Sequence, residues 1–252
     1  MEEFSMDNLL KSELFKLKKD RSFRKLTLAL MIIAALFPLL ASIYKVEQLS
    51  VNELFISIIG RNNYVLKLIP CLLAGYFISS EYSMGTMKSI ASSGNSRIRI
   101  YISKLMVFSF GAIIFSLILP IAMTGTGAIY AQFNDMPDLK YFVQIIIFTM
   151  LYAAAFASIM MVFATMFTDS GKTIGSLILI FLLFDAVMFM LASKFTLFEY
   201  IYNYSVFKLS YDIININAMD SIEVFKLALI PILTYLVFGL LGVFTFLKKE
   251  IK

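Results

Sequence analysis

The chain has 252 residues, 60% of them hydrophobic and only 15% charged, with a mean hydropathy of +0.84. A soluble domain is nearer half apolar and a quarter charged, so the bilayer rather than water is the expected solvent, and one membrane domain is expected over residues 1–252. The net charge is +5, histidine is absent and Cys71 is the sole cysteine, which excludes zinc sites built on His and Cys, disulfide frameworks and Cys/His nucleophile pairs.

Residues 6–25 open the chain as a basic amphipathic helix. Met6, Leu10, Leu14 and Leu17 share one stripe, and Lys11, Lys18, Lys19 and Arg21 lie off it. Such a helix is expected to lie at the membrane interface against anionic headgroups; the alternative is a solvated tail that only sets topology. Apolar runs long enough to span follow at 26–44 and 62–80. Between the second and third runs, residues 82–94 form a short helix with a narrow stripe of Met84, Met87 and Ile90 or Ala91, and with Ser83, Thr86, Ser89 and Ser93 on its polar side. Gly94 is a natural stop and Ser96 a natural cap for the next helix.

Further spans are expected at 98–130, 141–167, 174–193 and 225–247. Continuous apolar runs favour helices over a barrel, whose strands would alternate. Before the sixth span, residues 195–224 are rich in Phe and Tyr but broken by Glu199, Lys208 and Asp212. They read as one or two short re-entrant or interfacial helices, or as a plain loop that would expose a large aromatic patch. The fold expected is therefore an all-α membrane protein with six transmembrane helices.

Lys and Arg set the orientation. Segments on the side of both termini carry 15 of the 22 basic residues, and the opposite side carries Lys45, Arg61, Lys67, Lys140, Lys194, Lys208 and Lys226. Both termini are expected in the cytoplasm, and residues 82–94 with them.

Catalytic signatures are lacking. Gly171-Lys172-Thr173 has the ending of a phosphate-binding loop, but position 166 is Met where that loop needs glycine, so a tight turn capped by Asp169 or Ser170 is expected and no ATP hydrolysis by this chain. There is no H-E-x-x-H and no G-x-S-x-G. Asp185 is the acid that falls well inside a span. It either lines a polar pathway or pairs with a base such as Lys67, or it makes a plain helix–helix hydrogen bond. Pro38, Pro70, Pro120 and Pro231 lie within spans and free backbone carbonyls, while Gly125, Gly127, Gly239 and Gly242 permit close helix packing.

The motif Glu81-Tyr82-Ser83-Met84-Gly85-Thr86-Met87-Lys88, followed by Ser96-Arg97 and Ser103-Lys104, together with the order of elements, resembles the permease subunits of type-2 ATP-binding-cassette exporters. These include small bacterial ones that handle antibiotics, bacteriocins or peptide toxins. The chain departs from the pattern in carrying Ser-Gly-Asn ahead of Ser96-Arg97, where many relatives have a proline.

The resemblance implies that 82–94 is a coupling helix docked on a separate ATPase, with Tyr82, Met84, Gly85, Thr86, Met87, Lys88 and Ile90 at the interface. Glu81 would brace the loop through Arg97, Arg99 or Lys104. It implies a second permease copy or paralogue paired through the first and fifth spans. ATP and Mg would sit on the ATPase, with no cofactor on this chain. It also implies amphipathic peptides or lipophilic toxins as substrates, membrane lipids but no nucleic acid as partners, and a place in the bacterial cell membrane. Other classes that fit the composition are an intramembrane enzyme and a toxin-binding immunity protein that works without an ATPase.

Overall fold

The computed structural model describes residues 6–43, 50–92, 94–130 and 134–249. Tyr44, at the end of the expected first span, and Lys45, Ser93 and Lys252 lie outside them. Every regular element among the described residues is helical. In order these are α1 (Met6–Lys19), α2 (Arg21–Ile43), α3 (Val51–Ser83), α4 (Thr86–Ser92), α5 (Arg97–Tyr130), α6 (Leu139–Met166), α7 (Ser170–Ala192), α8 (Thr196–Asn203), α9 (Val206–Asp212) and α10 (Ser221–Lys248). A tight 3-10 turn, Ile213–Ala218, links the last two. Six of these, α2, α3, α5, α6, α7 and α10, are long and apolar enough to cross a membrane.

Short polar side chains start the long helices, because the first N–H groups of a helix have no partner within it. Ser50, Ser96, Asp138, Asp169 and Asp220 each accept from the backbone N–H three residues on, and Glu223 completes a capping box with Asp220. The Ser50 cap explains why α3 begins at Val51 rather than at 62. Val51, Leu54, Phe55, Ile58 and Ile59 are buried at helical spacing, although Asn52, Glu53, Ser57 and Arg61 between them dilute the apolar signal.

The stripe of α1 also differs from the expected one. Leu9, Glu13 and Leu17 are buried, whereas Leu14 is exposed. The helix leans along α5, with Glu13 at Lys104 and Leu17 against Gly111. Asp20 then breaks it and caps α2 through the Phe23 N–H at 2.7 Å.

The helix α6 is the centre of the bundle. Of its most apolar stretch 72% is buried, against 17% for α2, 11% for α7 and 22% for α10, so those three present most of their surface to lipid or to another chain. Ala153, Ala155, Ala157, Ser158 and Ala164 keep α6 slim enough for close neighbours. Gly242 of α10 serves the same end: a Cβ there would overlap the hydroxyl of the fully buried Tyr101. Gly127 clears Leu54, while Gly125 faces open space.

Proline supplies a different kind of contact. It cannot donate to the carbonyl four residues back, and in hydrocarbon that carbonyl needs another partner. Opposite Pro38, the Ala34 carbonyl accepts from Thr126 at 2.9 Å. Opposite Pro120, the Ser116 carbonyl accepts from Asn62 at 2.9 Å, and opposite Pro231 the Leu227 carbonyl accepts from Tyr152 at 3.1 Å. Each bond joins two different helices, so the three carbonyls freed by proline become three cross-links. The π-helical turns Leu119–Met123, which includes Pro120, and Ala74–Ser79, shortly after Pro70, add further local widening.

At the end away from the termini, α8 and α9 fold over the bundle. Phe207 of α9 inserts among Phe156, Phe181 and Phe184, with ring centroids 4.0–5.4 Å apart. Tyr141 donates to the Ile214 carbonyl at 2.8 Å and holds the following turn. On the other side of α8, Leu197, Tyr200 and Ile201 are exposed.

Candidate functional site

Residues 84–92 and 94–96 make an elbow between α3 and α5. Gly85 has φ +71° and Gly94 φ +86°, left-handed values that bracket α4 and that L side chains adopt only with strain. A Cβ on Gly85 would meet nothing within 4 Å, so what this position requires within the chain is the backbone conformation, not space. Thr86 turns its hydroxyl back to the Glu81 carbonyl at 3.2 Å.

The elbow residues divide into two faces. Met84, Gly85, Thr86 and Lys88 are exposed, Met84 by 66%. Met87, expected beside Met84 on a docking face, is buried in the core, and Ile90 is half-buried against it. Met84, in the turn before α4, and Met87, within it, thus serve opposite sides, and Met87 is the foot by which α4 stands on the bundle.

Beneath the elbow lies a network of four charges, Glu13, Glu81 and Lys104 buried and Lys16 half-buried at its edge. Lys104 of α5 donates to both oxygens of Glu13 at 3.1 and 3.0 Å and lies 2.5 Å from Glu81 of α3. Lys16 of α1 meets Glu13 at 2.8 Å and Glu81 at 3.2 Å. Two cations and two carboxylates cancel, which is what permits Glu13, Glu81 and Lys104 to be buried together. Burial pulls the Lys16 ammonium down, but the carboxylates of Glu81 and Glu13 outweigh it and raise its pKa. The resemblance offered Arg97, Arg99 or Lys104 as the partner of Glu81, of which Lys104 is the one it meets, and Glu13 was missed. The signal was there: an acid four residues from both Leu9 and Leu17.

Arg97 does not join this network. Its guanidinium donates to the carbonyls of Leu247 and Lys249 at 3.1 and 3.0 Å, closing the C-terminal end of α10 onto the elbow. Lys249 continues the closure. Its ammonium donates to the Thr165 carbonyl at the end of α6 and stands 3.7 Å from the centroid of the Tyr82 ring. Burial lowers its pKa to about 8. The ends of α3, α6 and α10 are thereby joined beside the elbow.

A second polar site lies inside the spans. Lys67 of α3 meets Asp185 of α7 at 2.5 Å, so the two residues singled out in the sequence are partners. Tyr211 of α9 donates to the same carboxylate oxygen at 3.2 Å. Burial, then the facing Asp185, raises the Tyr211 pKa, which keeps this phenol a donor. A cavity of about 160 Å³ borders the pair, lined in part by Tyr64, Phe181, Leu182 and Tyr211. A larger one of about 470 Å³, lined in part by Phe189, Glu199, Tyr202 and Lys208, shares Tyr211 with it. Among the described residues, no three Cys, Asp or Glu side chains converge closely enough to hold a metal ion.

The family model described as ABC-2 family transporter protein matches residues 9–184, which takes in most of α1, the elbow, the charge network, Lys67 and most of α7. No curated protein matches the chain. The match covers well over half of the sequence and agrees with six apolar helices and no strand among the described residues. The chain is therefore a multi-pass membrane protein of the ABC-2 transporter family, a permease component of an ATP-binding-cassette exporter.

Proposed function

We propose that this permease exports amphipathic peptides or lipophilic toxins and antibiotics, driven by a separate ATPase that grips the elbow. The reading rests on one observation above all: an exposed strip, Met84, Gly85, Thr86 and Lys88, at the turn into and the start of a short helix that Met87 roots in the core and Thr86 ties to the Glu81 carbonyl, beside the charge network that joins α1, α3 and α5. Methionine is an adaptable side chain for a partner's groove, and Lys88 offers a cation to an acidic rim. A push on α4 passes through Met87 into the core and through Glu81, Lys104 and Glu13 into three helices at once. Arg97 and Lys249 carry the same push to α10 and α6. The four charges act as a brace, and the chain itself needs no cofactor, ATP and Mg being bound by the ATPase.

In this reading the elbow and both termini are cytoplasmic, since 15 of the 22 basic residues belong to segments on that side. A second permease copy or a paralogue completes the exporter, with the lipid-like faces of α2 and α7 available for the pairing. The short helices α8 and α9 lie in the outer interface, where aromatic residues are favoured. The setting is a bacterial cell membrane.

The test is coupling. The ATPase is expected to hydrolyse ATP faster when reconstituted with the permease. Met84→Asp with Lys88→Glu is expected to weaken its co-purification about tenfold or more, the effect of losing an interface anchor. A folded double variant that retains the ATPase and its stimulation overturns the assignment.

A further inference from the structure

The Lys67–Asp185 pair has the construction of a receptor for an ammonium ion, with a side chain of the chain itself as the occupant. The Lys67 ammonium lies 4.3 Å from the centroid of the Tyr211 ring, 5.4 Å from that of Phe207 and 5.7 Å from that of Phe156, and Asp185 meets it at 2.5 Å. Aromatic faces around a carboxylate are how proteins hold ammonium and quaternary ammonium groups. Such a cage is more than a helix–helix tie requires.

Three observations indicate that the occupant is replaceable. Asp185 uses one oxygen for both Lys67 and Tyr211, while its other oxygen, Oδ1, is buried without a hydrogen-bond partner. The carboxylate side is also the approachable one: the Asp185 side chain is 22% exposed and that of Lys67 only 3%. Finally, the adjoining cavity of about 160 Å³ opens beside exposed Tyr64 and Leu182, which suit an apolar stem rather than a hydrated ion. The larger cavity across Tyr211 adds a further acid, Glu199, while its Lys208 is tied to Asp212 at 2.5 Å.

We infer that this cage is a binding site for the ammonium group of a cationic amphiphile, with Lys67 as a tethered occupant that the ligand displaces. The ligand neutralises Asp185 in place of Lys67, so α3 and α7 are freed from each other with the carboxylate still paired, and the displaced Lys67 ammonium moves out to water. That consequence for transport rests on the exporter reading; occupancy of the site does not. The ammonium could come from a soluble amphiphile or from an aminophospholipid headgroup.

The experiment uses the full chain in phosphatidylglycerol nanodiscs, without ATPase, and follows acetylation of Lys67 by mass spectrometry. Lys67 is expected to be protected alone and to react several-fold faster with decyltrimethylammonium, but not with decanol. Nanodiscs of phosphatidylethanolamine without added amphiphile distinguish the sources: faster labelling there assigns a lipid headgroup, and unchanged labelling assigns a soluble amphiphile. Lys67→Met is expected to bind decyltrimethylammonium at least tenfold more tightly than the natural chain, and Asp185→Asn to bind it no better than decanol. Should Lys67→Met fail to fold, labelling of the natural chain decides. Labelling of Lys67 that ignores the cation, or a folded Lys67→Met with no gain in affinity, overturns the inference. A silent ATPase with a responsive Lys67 would instead count against the exporter reading alone.

Discussion

Replacing Lys104 by Met would remove the charge that lies between Glu13 and Glu81 and leave two carboxylates buried with only Lys16 to share. Breaking a buried pair from one side costs about 3–5 kcal/mol, because the remaining partner keeps its desolvation cost. Lys104→Met is therefore expected to lower the thermal midpoint sharply in nanodiscs, and adding Glu13→Leu is expected to restore part of the loss; equal midpoints for the natural chain and Lys104→Met would show that the network is not a brace. The network also has a pH signature. Lys16 has a pKa raised above 10.5, so its stabilisation is fully present below 10.5 and is lost as the pH rises through the higher folded value. Scans of thermal midpoint against pH should show a steeper alkaline fall for the natural chain than for Lys16→Met.

The proline carbonyls give a residue-scale test that is independent of charge. Tyr152→Phe keeps the ring and removes only the donor to the Leu227 carbonyl. A buried acceptor left without a partner costs about 1–3 kcal/mol, and more sharply where no water reaches. A lower thermal midpoint for Tyr152→Phe, with unchanged helix content by circular dichroism, is the expected result.

At the scale of elements, what was legible in the sequence was what physics writes locally. Apolar runs marked six spans, and Ser96 and Asp169 marked the helix starts that they cap. What was hidden depends on neighbours distant in sequence. The start of α3 at Val51, set by the Ser50 cap, was hidden because polar residues there are interleaved with buried ones, and a window average cannot separate the two faces. Glu13 is invisible to a count of apolar residues because its burial is made possible by Lys104, 91 positions away. Met87 and Met84 look alike in sequence, and only the left-handed Gly85 determines which one points inward. The pairing of Lys67 with Asp185 could be named from the sequence, since an acid and a base at depth each need a partner. The aromatic cage around it could not, because Phe156, Phe207 and Tyr211 come from two separate elements.

At the scale of the whole molecule, the bundle is tied most firmly at the elbow end, where charged and hydrogen-bonded contacts join α1, α3, α5, α6 and α10. The opposite end is capped by aromatic packing and carries open clefts. On the proposed reading, the tied end receives force from the ATPase and the cleft-bearing end releases cargo. The most direct measurement is photocrosslinking in intact membranes, with a photoreactive amino acid at position 84 and the ATPase co-expressed. The account predicts an adduct between position 84 and the ATPase, and none from the same probe at position 197 in α8. Absence of an adduct at 84 in a folded, expressed permease, or an adduct only at 197, would contradict it.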